Sequence, residues 1–297
     1  MKVIRPIEIT PAKILSSTAT EAYAVWSSAS TYNAGDRVIY SETIYESLIA
    51  SNLNKQPDIN KTSWLDIVPS NKTAMFDNQV NTQTVGTTSL NVVFQPGSLF
   101  NSIAFLNLQG SMINVKVKDS PTGSIVYEQN AGLDGSIITD WYTYFFEDFD
   151  IKTEVTFQNI PAYSSGVVDV TVTAFTGAMV AIGSCSVGNL IDLGGTQYGM
   201  GYGIRDYSIK ETDDFGNTVF VERTFSKRLS PNIFVENSRM NYVTKTLEKL
   251  RATPTVFIST DDPRFDGTIT LGFIRDWNIE ISYPEHSMLS MEIEGLI

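Results

Sequence analysis

Imidazoles and thiols are nearly absent, with one histidine, His286, and one cysteine, Cys185, in 297 residues. A single cysteine cannot close an internal disulfide, and one histidine leaves no His pair or His/Cys cluster of the kind that holds zinc. Nucleophilic catalysis needs a base beside a Ser, Cys or Thr. The one imidazole sits in Tyr283-Pro284-Glu285-His286-Ser287, which reads as an exposed turn between the last two strands. Cys185, between Ser184 and Ser186 after an apolar run, reads as a small packed side chain. Positive charge is also scarce. The 21 Lys plus Arg against 33 Asp plus Glu give a net charge of −12, which repels phosphate backbones and anionic lipid, so nucleic acid is not an expected partner. Long apolar runs are missing too. Arg5, Pro6 and Glu8 break the first ten residues, so no signal-peptide core is expected, and synthesis in a cytoplasm follows. The most apolar later stretch, 167–183, carries Asp169 and several Thr and Gly, so no membrane insertion is expected.

What is present is alternation with period two, the mark of strands with one buried face. Ile113, Val115 and Val117 alternate with Asn114, Lys116 and Lys118, and Val168, Val170 and Val172 alternate with Asp169, Thr171 and Thr173. Turn signals separate such runs at Gln95 to Gly97, Ser120 to Gly123, Asp134-Gly135 and Ser164 to Gly166, a spacing that predicts a β-sandwich or jelly roll rather than βαβ units. Composition breaks at Val68 to Lys72 and at the Gly-rich 194–203 divide the chain into an extended segment 1–20, a small β module 21–70, a sandwich 71–190 and an α+β domain 191–297. In the last, Tyr207 to Thr212 and Thr218 to Phe225 flank Asp213-Asp214-Phe215-Gly216-Asn217 as a hairpin. Met240, Val243, Leu247 and Leu250 then form one stripe of an amphipathic helix over Ser238 to Arg251, with Asn237 or Ser238 as N-cap and Pro254 just beyond its end. Strands are expected at Thr255 to Thr260, at Thr268 to Ile274, and as a pair formed by Ile279 to Tyr283 with Leu289 to Ile293. The fold class is therefore mainly β, ending in an α+β domain with one amphipathic helix.

Acidic clusters occur at Glu147-Asp148-Phe149-Asp150, Asp213-Asp214 and Asp261-Asp262. None has the spacing of a twelve-residue calcium loop, and adjacent Asp residues in turns are explained by backbone hydrogen bonding. Gly199, Gly201 and Gly203 lack the G-x-G-x-x-G spacing and a following helix, so a connector or bulged strand is the better reading. No catalytic, cofactor-binding or metal-ligating residues are assigned, and the chain is not expected to be an enzyme. The aromatics are more informative. Trp26, Tyr32, Tyr40, Tyr45 and Trp64 fall in a stretch with few aliphatics, where rings either build a small core or offer platforms for sugar stacking.

The segment Ala24-Val25-Trp26, then Tyr32-Asn33-Ala34-Gly35-Asp36-Arg37-Val38-Ile39-Tyr40, Ile44-Tyr45, Gln56-Pro57 and Trp64 resembles the chitinase-type carbohydrate-binding modules of families 5 and 12. The resemblance implies a three-stranded β module. Where sugar-binding members carry a Trp-Trp pair, this sequence has Ile49 and Ala50, so scaffold rings are kept while a platform worth on the order of 1 kcal/mol per ring is missing.

The remainder, with Asn71-Lys72-Thr73-Ala74-Met75-Phe76-Asp77, Phe220 to Arg228, Tyr283-Pro284 and Ser290 to Leu296, resembles bacteriophage tail-region virion proteins. That resemblance implies a structural component of a tail, neck or baseplate. Its partners would be other virion proteins in a symmetric assembly, and its location the tail region of the particle. The alternative is a host-attachment protein binding surface polysaccharide. For it the candidate glycan-contact residues are Trp26, Tyr32 and Tyr45 of the first module and Trp141, Tyr142 and Tyr144 of the sandwich, although the last three are expected in the sandwich core.

Overall fold

The computed structural model describes residues 1–135, 140–146, 151–212 and 215–297. The acidic clusters at 147–150 and 213–214 and the side chain of Tyr144 lie outside the described residues. Among the described residues the chain is mainly β.

The N-terminal segment forms two strands, β1 (Lys2–Pro6) and β2 (Ile14–Ser17). The first module follows, with β3 (Thr31–Tyr32), β4 (Arg37–Tyr40), β5 (Thr43–Ser47), β6 (Asn52–Leu53) and β7 (Trp64–Pro69). β4, β5 and β7 make a three-stranded antiparallel sheet and β3 pairs with β6. The sandwich strands are β8 (Thr84–Thr87), β9 (Ser89–Phe94), β10 (Ser102–Gln109), β11 (Met112–Lys118), β12 (Ile125–Gly132), β13 (Val155–Phe157), β14 (Val167–Thr173) and β15 (Met179–Asp192). One sheet runs β2-β9-β14-β11-β12. In the other, β15 pairs with β10 on one edge and with β8 and β1 on the opposite edge, and β13 pairs with β10. Val92, Val115, Val117, Val168 and Val170 from the first sheet meet Ile103, Phe105, Phe157 and Val187 from the second in a single core, as the period-two pattern predicts.

The C-terminal region adds β16 (Gly195–Thr196), β17 (Gly201–Asp206), β18 (Ile209–Thr212), β19 (Thr218–Val221), β20 (Phe225–Ser230), β21 (Asn232–Glu236), β22 (Thr255–Ile258), β23 (Thr270–Glu280) and β24 (His286–Gly295). Among the described residues there are two α-helices, α1 (Trp141–Phe146) and α2 (Met240–Leu250). β1 joins the two halves by pairing with β15 on one edge and β22 on the other, so the second sandwich sheet continues through β22, β23 and β24 to β20 and β21. Successive side chains on a strand point to opposite faces. Val3 and Phe257 therefore reach the core under α2, while Ile4, Val256 and Ile258 reach a second core with Ala104 and Leu106 of β10. Gly188 permits this junction, because a Cβ there would lie 2.2 Å from the Arg5 carbonyl oxygen. The stripe Val243, Leu247 and Leu250 of α2 is buried on the sheet against Leu229, Ile233, Leu289, Met291 and Ile293.

Several sequence expectations are corrected. No side chain caps α2: Arg239 holds the N-cap position, and a short 3-10 turn at Asn237–Arg239 precedes it. The Asn237 amide instead donates to the Tyr283 and Pro284 carbonyls, both at 2.9 Å, tying the helix entry to the β23–β24 connection. β23 runs without a break from the first of the strands expected at Thr268 to Ile274 and Ile279 to Tyr283 into the start of the second, and Ile281 to Tyr283 lie in the β23–β24 connection. A register shift between Ile274 and Asp276 breaks the apolar alternation there, which made it read as two. His286 is not an exposed turn residue. It begins β24 half-buried, its ring stacked between Phe234 and Tyr283 at centroid distances of 4.5 and 4.4 Å.

Candidate functional site

In the first module the rings pack on one another. Trp64 is buried and its indole N–H donates to the Lys55 carbonyl at 2.7 Å, while Tyr32 meets it edge-on at 5.3 Å. Trp26 and Tyr40 form a second edge-on pair at 5.6 Å, and Tyr45 joins Val38 and Trp64 in the core. The Tyr32 hydroxyl accepts from the Ser27 amide at 2.8 Å, which fixes that ring further. Tyr45 is thus buried, and Trp26 and Tyr32 are half-buried and held by ring neighbours. Ile49 is half-buried and Ala50 exposed at the positions of the missing Trp pair.

Trp141 and Tyr142 stand differently. They project from α1 with 78% and 71% of their surface exposed, so the expected burial of these two rings in the sandwich core does not hold. Six residues give too short a helix to carry a continuous apolar stripe, and Trp141 stacks on Phe145 while Tyr142 lies tilted against Phe146 instead. These two rings are more exposed than the three of the first module.

A cleft of about 950 Å³ lies between the sandwich and the C-terminal region, lined by Leu106, Asn107, Glu154, Tyr202, Phe225 and Lys227 among others. Arg264 is bidentate to Asp262 within its own turn, and Lys227 pairs with Glu154 across the cleft, which joins the two halves. Asp261 works likewise. Burial alone would raise its pKa, but hydrogen bonds from Lys2 and Gln158 outweigh it and hold the carboxylate below its usual range. Asp262 accepts from the Arg264 amide at 3.0 Å, the backbone role expected of an Asp in a turn. Cys185 is buried, and burial pushes its thiol pKa up, which disfavours the thiolate. Among the described residues no group of three or more His, Cys, Asp or Glu is placed to hold a metal ion, and no helix is long and apolar enough to cross a membrane.

The feature that sequence reasoning missed is the surface of residues 198–225. Among the described residues β17 pairs only with β20, and β18 and β19 form a separate two-stranded ribbon beyond it. Every residue of β17 and β19 is exposed. Tyr198, Tyr202, Ile204, Val219, Phe220, Val221 and Phe225 are all exposed, Tyr198 to 97%, and none belongs to a buried core. The hairpin was legible from its turn. Its lack of an apolar partner was not, because alternation tells which face is apolar but not whether anything covers it.

No protein-family model matches the chain, and no curated protein matches it. Among solved structures, chitosan-binding module 1 from a chitosanase/glucanase of Paenibacillus sp. IK-5, as a selenomethionine-labelled point mutant, is similar at 12% identity and a TM-score of 0.26, over 39% of this chain and 83% of that one. A likeness that slight carries neither fold nor function across.

Proposed function

We propose that the chain is a structural component of a bacteriophage virion, in the tail, neck or baseplate region, that docks onto neighbouring virion proteins. The observation that carries the docking role is the 198–225 arm. A ribbon with exposed Val219, Phe220 and Val221 and no core of its own gains stability only when a second surface covers it. A β framework whose halves are stitched by β1, and whose Lys227–Glu154 pair spans the cleft, suits a rigid part that positions such an arm. The assignment to a phage tail rests on the sequence resemblance of 71–77, 220–228 and 290–296.

Immunogold electron microscopy of purified particles of the encoding phage tests this reading, together with the protein inventory of the same particles. Gold along the tail body, neck or baseplate is the expected result. Absence of the chain from the particle inventory would overturn it. A second reading, recognition of host-surface polysaccharide, is favoured by the exposure of Trp141 and Tyr142. Gold at a fibre tip, with polysaccharide binding abolished by Trp141→Ala, would support that reading instead.

A further inference from the structure

We propose that the cleft between the sandwich and the C-terminal region binds a neutral oligosaccharide, stacked on Tyr202 and Phe225 at the base of the arm. This goes beyond the docking role and does not rest on it. The register of β17 on β20 builds the platform. Residues directly opposite across an antiparallel pair share a face, and alternate residues return to that face. Tyr202 opposite Leu229, Ile204 opposite Lys227 and Asp206 opposite Phe225 therefore place Tyr202, Lys227 and Phe225 on one face, and all three line the cleft. Both rings are 52% exposed, and neither belongs to a buried core. From Phe225 to Leu229, the partner of Tyr202, the ladder advances about 13 Å at ~3.3 Å per residue, which exceeds the span of one pyranose ring. Lys227 stands between the two rings, paired with Glu154 of the opposite wall.

The polar groups beside the rings have bonding capacity left for hydroxyls. Lys227 donates to Glu154 and, at 3.1 Å, to the Gly267 carbonyl, which leaves one ammonium N–H, while Glu154 also accepts from the Thr153 hydroxyl at 2.7 Å. Asn107 donates from its amide nitrogen to the Val80 carbonyl at 2.8 Å, a bond that leaves its amide oxygen to accept. Thr270 lines the same cleft, is 2% exposed, and its hydroxyl has no hydrogen-bond partner among the described residues, which is unfavourable until one arrives. The charge balance and the strand pairing narrow the occupant. Asp134, Glu154 and the Asp262 that holds Arg264 balance Lys152, Lys227 and Arg264, so these side chains carry no net charge in a chain of −12, and neither an anion nor a cation is favoured. A peptide added as a strand needs an open edge. The strands that carry Lys227 and Thr270 offer none, since β20 lies between β17 and β24, and β23 between β22 and β24. A wholly apolar ligand would desolvate Lys227 and Glu154 without replacing their lost water. A neutral saccharide meets both demands, because the C–H face of a pyranose covers an aromatic ring while its hydroxyls bond the polar groups alongside.

Isothermal titration calorimetry of the full chain with neutral hexasaccharides of glucose, galactose and N-acetylglucosamine tests this. Saturable binding of at least one of them is expected. Tyr202→Ala and Phe225→Ala, at half-exposed positions that leave the melting temperature unchanged, are each expected to weaken that binding about five- to tenfold. Trp141→Ala is expected to leave it unchanged. No saturable heat from any of the three sugars, or binding that survives Tyr202→Ala and Phe225→Ala combined, overturns the proposal. Binding lost in Trp141→Ala and kept in the two cleft variants also overturns it, and moves saccharide recognition to α1. None of these results touches the tail docking reading, which immunogold labelling and the particle inventory test separately.

Discussion

Truncating Leu247 to alanine probes the attachment of α2 to its sheet. Leu247 is 1% exposed and packs in one core with Val243, Leu250, Leu229, Ile233, Leu289 and Ile293. The change removes three carbons, each worth about 0.8 kcal/mol of transfer free energy, and leaves a cavity, for a total of about 3 to 4 kcal/mol. In a chain of this size each kcal/mol moves the melting temperature by about 2 to 4 °C, so a drop of about 6 to 16 °C is expected in calorimetry. Leu247→Asp should cost more, because an unpaired carboxylate would enter the same apolar site. Tyr242→Ala on the exposed side of the same helix is the control and should stay within about 0.5 kcal/mol of wild type. A Leu247→Ala melting temperature no lower than that of Tyr242→Ala would refute burial of the stripe against the sheet and leave it facing a partner.

Three further outcomes follow from named contacts. Gly188→Ala should cost about 1 to 3 kcal/mol by urea unfolding, since the new methyl would press on the Arg5 carbonyl and loosen β1 from β15. A double-mutant cycle of Glu154→Ala and Lys227→Ala should return a coupling of about 1 kcal/mol or more, above the range of exposed pairs, because both side chains are largely buried across the cleft. Asp77 has its pKa raised by burial, only partly countered by hydrogen bonds from Thr82 and the Gln79 amide. A carboxyl whose folded pKa lies above its unfolded value favours folding below the unfolded value and loses that contribution as pH rises through the folded one. Asp77→Asn should therefore gain stability relative to wild type between acid and neutral pH, read from urea midpoints at both.

What was legible depended on whether a strand buries one face or two. β11 and β14 have one buried face, so Ile113 to Val117 and Val168 to Val172 announced themselves by alternation, and the sandwich followed. β10 and β22 are buried on both faces, and β1 sends Val3 and Ile4 into different cores. Their apolar runs carry no period, so the continuity of the sheet from sandwich to C-terminal region could not be read from them. The α2 stripe was legible at spacings of three and four. Its start was not, because Asn237 spends its side chain on the 283–284 carbonyls rather than on the helix N-terminus. Trp26, Tyr32 and Tyr45 could be read either as core or as sugar platforms, and nothing in the residue types distinguishes them from the exposed Trp141 and Tyr142, which were expected in the core.

The most direct test of the docking account is electron cryomicroscopy of intact particles at a resolution that traces side chains. The account predicts residues 198–225 in ordered density, with Val219, Phe220 and Val221 covered by a neighbouring subunit. An arm that projects into solvent while the rest of the chain contacts its neighbours would contradict it.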